Sequence, residues 1–146
     1  MTTENSPGPR WGRSIGAVFT GFLTVVVLSL AVDQVLHVLQ VYPPWGEPMP
    51  QPGLNLLALS YRILITIGAA WLTARLAPHR SAASDWRHIW VFGAIGLVLG
   101  TVGAIATIPL HLGPAWYPIA IAATALPCAW LGGKLAIRAP AGGEPV

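Results

Sequence analysis

Four runs of apolar residues constrain this chain more than anything else in it. A helix needs about 20 predominantly apolar residues to span the hydrocarbon core of a bilayer. The runs cover residues 14–41, 54–76, 89–110 and 116–137. The first has no charge between Ile15 and Val32, Arg62 interrupts the second in mid-span, the third carries no charge, and the fourth holds Lys134 near its end. In lipid each backbone N–H and C=O must be satisfied within the segment, so such runs are helices. The breaks between them, "YPPWGEPMPQPG", "APHRSAASDW" and "HLGPAW", carry turn chemistry, and Pro43 and Pro44 cannot continue a helix. The expected fold is all-α, a four-helix transmembrane bundle over residues 14–138, with flexible tails at 1–13 and 139–146.

Composition agrees. Hydrophobic residues make up 54% of the chain and charged residues 9%, against about 25% charged in soluble domains. Lys and Arg collect on the cytoplasmic side of short loops. Arg10 and Arg13 precede the first span, Arg75, Arg80 and Arg87 surround the second loop, and Lys134 and Arg138 close the fourth span. Both termini are therefore predicted inside, an N-in/C-in topology. The loops around Trp45 and His111 then lie outside. The basic pI of 9.6 reports this topology rather than nucleic-acid binding. Trp45, Trp116 and Tyr117 fall at the outer interface and Trp11, Trp86 and Trp90 at the inner one, as aromatic belts require. His79 and His88 flank the basic loop and are expected to be solvated. Arg10, Arg13 and the apolar run up to "SLA" imitate a signal peptide, but the run is too long and its helical character continues to Val41, so it is read as a retained span. Cys128 is the one cysteine, which excludes an intrachain disulfide and a thiolate metal cluster.

Polar residues inside the first two spans are the chemical signal. Ser29, Asp33, His37 and Gln40 follow helical spacing, as do Asn55, Arg62, Thr66 and Thr73, so each set shares one face of its helix. Asp33 lies eight residues before Val41 and Arg62 eight after Leu54, which puts both at a depth of roughly 12 Å on antiparallel neighbours. An unpaired charge there costs at least about 2.5 kcal/mol, and Arg62 cannot deprotonate. A two-pronged Asp33–Arg62 pair is expected, with His37 one turn nearer the outer surface, sharing the carboxylate or the neighbourhood of Tyr61. The pair serves either to fix the register of spans one and two or to line an ion or proton pathway or an outward-facing polar pocket. A haem or pigment on His37 has no attachment motif beside it. A metal on Asp33, His37 and His111 would need the outer loop to fold inward.

Gly93, Gly96, Gly100 and Gly103 line one face of span three and let another backbone approach, either within the chain or in a second copy. Pro127 predicts a kink in span four, tolerated if neighbours or Thr124 satisfy the freed carbonyl. No G-x-S-x-G, H-E-x-x-H or Walker loop occurs. The chain is read as a non-enzymatic structural or accessory membrane protein without a cofactor. The rival is a small transporter or ion- or proton-conducting protein that uses Asp33, His37 and Arg62, and a lipid-directed enzyme would have to rely on the same three side chains. Membrane lipids are the expected partners, with a homo-oligomer or a larger membrane complex both open and no nucleic acid.

The segments "GRSIGAVFTGF", "DQVLHVLQVYPPWG", "YRILITIGAAWLTARLAP" and "AWYPIAIAATALPCAWLGGKL" resemble a family of small four-span bacterial inner-membrane proteins. The resemblance runs from Arg13 to Leu135 and includes Asp33, His37, Pro44, Tyr61 and Arg62. It implies a multi-pass protein of the bacterial inner (plasma) membrane and carries no activity. The Pro-rich loop from Trp45 to Leu54 and the loop around His111 depart from it.

Overall fold

The computed structural model describes residues 10–78 and 82–138. Helices α1 (Arg10–Val38), α2 (Pro52–Leu76), α3 (Ala82–Thr107) and α4 (Trp116–Arg138) follow in order, with a short 3-10 turn at Ile108–Leu110 after α3. All four are long and apolar enough to cross a membrane. The expected tails at 1–9 and 139–146, and the loop positions His79 and Arg80, lie outside the described residues. Residues 10–13, expected in the tail, form the first turn of α1.

The helix ends have local causes. α1 stops three residues before the expected Val41, and the stop precedes the prolines. Gln40 takes φ +57°, its N–H bonds the carbonyl of His37 at 3.0 Å, and the N–H of Val41 reaches back to Leu36 at 2.9 Å. This is a Schellman closure, with Gln40 where glycine is usual. Gln40 therefore leaves the helical stripe it was expected to join. α2 opens with Pro52 in its first turn, where the missing N–H is no loss. The Asn55 side chain anchors the entry by donating to the carbonyls of Gln51 at 2.9 Å and Met49 at 2.8 Å. Ala77, forced to extended geometry ahead of Pro78, ends α2 at ψ 144°.

The helices run alternately up and down. α4 packs along both α2 and α3, whereas α1 leans mainly on α2 and touches α3 at few points. The tightest packing lies toward the end where α1 begins and α4 finishes, around Ala69, Ala70, Ala74, Ile89, Phe92, Ala129 and Ala136. Small residues set that closeness. A Cβ on Gly132 would meet the carbonyl oxygen of Ile67, the Cβ of Ala70 at 2.7 Å and the backbone nitrogen of Trp71 at 2.9 Å. A Cβ on Gly93 or Gly100 would press on Ala129 or Ala122 of α4 at 2.9 Å, and one on Gly96 would touch Ala125 at 3.4 Å, while nothing stands within 4 Å of one on Gly103. Three of the four α3 glycines thus pack within the chain, and the fourth faces open space. Large side chains such as Phe19, Val98 and Ile105 point outward, an inside-out arrangement suited to lipid.

Pro127 is accommodated without ending α4. Thr124 Oγ1 donates to Ala120 at 2.8 Å and contacts the Ile121 carbonyl at 3.2 Å. It does not serve the carbonyl of Ala123, which Pro127 leaves without its helical donor, so the role expected of Thr124 is not the one it fills.

Candidate functional site

Asp33 lies on the last turns of α1 and Arg62 near the middle of α2, and their antiparallel register brings the side chains together. Arg62 Nη2 donates to Asp33 Oδ2 at 2.6 Å, and the Asp33 side chain is 8% exposed against 30% for Arg62. The bridge has one prong. The other carboxylate oxygen, Oδ1, accepts a hydrogen bond from the Tyr61 hydroxyl, so the neighbouring phenol takes the place expected for the second guanidinium N–H. Arg62 Nε is buried without a hydrogen-bond partner. The carboxylate has donors on both oxygens while the guanidinium retains an unused donor.

His37 does not share the carboxylate. Its Nδ1 lies 3.0 Å from the backbone carbonyl of Asp33, a contact that needs a proton on Nδ1. The ring stacks on Trp45 at 4.0 Å between centroids and meets Tyr42 edge-on at 5.5 Å. Trp45 Nε1 in turn donates to Gln34 Oε1 at 3.3 Å. His37 thus pins the first loop back onto α1.

Two tyrosines complete the site. The Tyr42 hydroxyl is 3.4 Å from both the Tyr61 hydroxyl and the Leu54 carbonyl, and burial pushes the phenol above its usual pKa, with its bond to Tyr61 opposing. It therefore stays a neutral donor at physiological pH. The Tyr117 ring, expected in the interfacial belt, instead covers the guanidinium of Arg62 from α4 at 5.9 Å. The spacing of seven between Tyr117 and Thr124 was a sequence signal for an inward face on α4. Tyr42 offered none, since a tyrosine beside two prolines at a span end reads as a belt residue.

Above these groups the four helices diverge around a cavity of about 600 Å³, within the range of small-molecule sites. Asp33 and Arg62 form its polar floor, Ala58, Gly103, Ala104 and Ile121 contribute apolar wall, and the two loops of this end form the rim. Leu99 also lines it and is 57% exposed. Leu99 is therefore wall on one side and outer surface of α3 on the other. Among the described residues no three His, Cys, Asp or Glu side chains gather as a metal site. No family model, curated protein or solved structure matches the chain.

Proposed function

We propose that this chain is a multi-pass protein of the bacterial inner membrane, with both ends cytoplasmic, that acts as a non-catalytic accessory protein holding a small ligand in the pocket at its outer end. The cavity floored by the Asp33–Arg62 pair is the observation that carries this reading. Mostly apolar walls with a few convergent polar groups are the usual make-up of a ligand site. The orientation draws support from charge. Arg75 and Lys134 lie over Trp71 and Trp130 at 5.4 and 4.5 Å at the end that also bears Arg13 and Arg87. The opposite loops carry Glu47 and neither Lys nor Arg. Lipid, and a second copy or a larger complex, are the partners that such a role calls for.

The rival reading, a conducting pathway through Asp33, His37 and Arg62, has less support. Below the pair Phe22 meets Phe92 at 4.7 Å between ring centroids, and the Gly132 and Gly133 contacts close the bundle. Among the described residues, the buried polar side chains are Asp33, Asn55 and Thr73, and the Thr73 hydroxyl is turned onto its own helix at Ala69. A pathway across the membrane calls for polar groups in succession.

The test is thermal unfolding of the purified chain in a non-ionic detergent, with and without a total lipid extract of a bacterial inner membrane. A bound ligand stabilises the state it binds, so the midpoint of wild type rises. Gly103→Leu, which fills the cavity from a position with free space, is expected to abolish the rise. An equal rise in both proteins would sink the pocket reading. Glu47→Cys labelled by a membrane-impermeant maleimide in intact cells, with Arg87→Cys unlabelled, is the result expected for the orientation.

A further inference from the structure

The ligand class follows from which hydrogen-bonding capacity the floor leaves unused and from where the cavity wall is thin. Asp33 already accepts from Arg62 and Tyr61. Arg62 has five N–H donors in a fixed fork, of which Nη2 is on Asp33 and Nε has no partner. Nε itself is sealed from the cavity, but Arg62 lines the floor with its side chain 30% exposed, so the group that settles on this floor meets a guanidinium and brings acceptor oxygens. A cation would face the guanidinium and a carboxylate already engaged. A planar guanidinium is matched by a carboxylate or phosphate head.

The second observation is how thin the cavity wall is on the lipid-facing side. α1 and α3 run in the same direction and meet where Phe22 contacts Phe92. Asp33 and Gly103 each stand eleven residues beyond that contact, roughly 16 Å along the helices. On α3, Leu99 both lines the cavity and is 57% exposed, so a single side chain stands between the cavity and the outer surface there. Leu99 lies eight residues before the end of α3, about 12 Å below it, at the depth of acyl chains rather than of water. A ligand that leaves the cavity past Leu99 has an apolar chain.

We infer that the pocket takes a single-chain anionic lipid, its carboxylate or phosphate head on Arg62 beneath Tyr117 and its chain leaving past Leu99 between α1 and α3. This rests on the pocket reading above and names its ligand. Glu47 on the rim repels a free anion arriving from the loop side, whereas a lipid sliding in from the membrane reaches Arg62 without passing it.

The experiment compares the full chain in dodecyl maltoside with sodium oleate, oleyl alcohol, oleylamine, acetate and inorganic phosphate, reading the thermal midpoint against concentration. Oleate is expected to stabilise at about tenfold lower concentration than oleyl alcohol, the equivalent of one added charge-assisted contact. Oleylamine, acetate and phosphate are expected to leave the midpoint unchanged. Gly103→Leu is expected to keep its ligand-free midpoint and lose the oleate response; Arg62→Gln, where it folds, is expected to respond equally to oleate and oleyl alcohol. Equal stabilisation by acetate or phosphate would overturn the lipid assignment, equal stabilisation by oleyl alcohol or oleylamine the anionic head, and an unchanged oleate response in Gly103→Leu the location. If oleate is inert while the total lipid extract still gives a rise that Gly103→Leu removes, the anionic class is refuted and the pocket stands. If neither acts, both readings fall.

Discussion

At the end of the bundle that bears Arg13, Arg75 and Lys134, Gly132 of α4 lies against the backbone of Ile67 and Trp71, and Gly133 lies against Ile89. At the opposite end nothing stands within 4 Å of a Cβ built on Gly103, and the helices part around a cavity of about 600 Å³. The first half is held by close contacts between small side chains. The second is held by Asp33, Arg62 and Tyr61, with Asn55 bonding the loop carbonyl of Met49 and His37 stacking on Trp45 of the same loop. Because lipid competes poorly for hydrogen bonds and well for apolar contact, polar ties can keep helices together while leaving space between them, whereas apolar contacts hold only where the backbones nearly touch. A pocket at membrane depth therefore needs the polar end.

The largest expected effect tests the polar half. Asp33→Asn alone leaves the Arg62 charge without its counter-ion and is expected to cost about 3 kcal/mol. Arg62→Gln leaves Asp33 similarly stranded. The double variant is expected to be more stable than either single one, and a double-mutant cycle on unfolding in detergent reads the coupling. Additive losses would mean that this half, too, rests on packing. Next in size, Gly132→Ala is expected to cost about 2 kcal/mol by overpacking against backbone that cannot yield. A cost near zero would show that the tight half has slack and erase the contrast between the ends. Smaller and opposite in sign, Gln40→Gly is expected to stabilise by about 1 kcal/mol, since the left-handed closure of α1 disfavours a side chain there. The same unfolding assay checks it, and destabilisation would mean that the closure does not limit α1.

How much of this could be read from the sequence depended on the range of the physics. Span length and turn residues are local, and they placed four helices to within four residues at every end but one. α3 opens at Ala82, seven residues before the expected Ile89, so part of the "APHRSAASDW" segment read as a turn is helical. Gln40 broke the pattern because a Schellman closure at a non-glycine residue has no compositional signature. The Asp33–Arg62 pairing was readable because charge in lipid is costly enough to demand a partner at equal depth. Its single-pronged form was not, since it depends on the Tyr61 hydroxyl reaching Oδ1 first. The placement of Tyr117 over Arg62 depends on how α4 crosses α2, and the cavity depends on where α1 and α3 separate. Both are properties of tertiary packing. The α3 glycines looked equivalent in a spacing of three and four, yet three lie against α4 and Gly103 does not, because the helices have diverged by then.

Gly103→Ala gives the smallest effect and the sharpest discrimination between the two ends. In a helix interior alanine is favoured over glycine by about 0.5–1 kcal/mol, through the entropy that glycine loses on folding. At Gly132 that gain is overwhelmed by collision with the α2 backbone. At Gly103 there is nothing to collide with, so the same substitution is expected to raise stability by about 0.5 kcal/mol. One methyl group should leave ligand binding in place, whereas the leucine at this position should remove it. Unfolding of Gly103→Ala and Gly132→Ala side by side measures the difference with the chemistry of the change held constant. If Gly103→Ala is destabilised as much as Gly132→Ala, α3 and α4 stay in contact up to the loop end, the cavity is closed in the folded protein, and the contrast between the two halves does not hold.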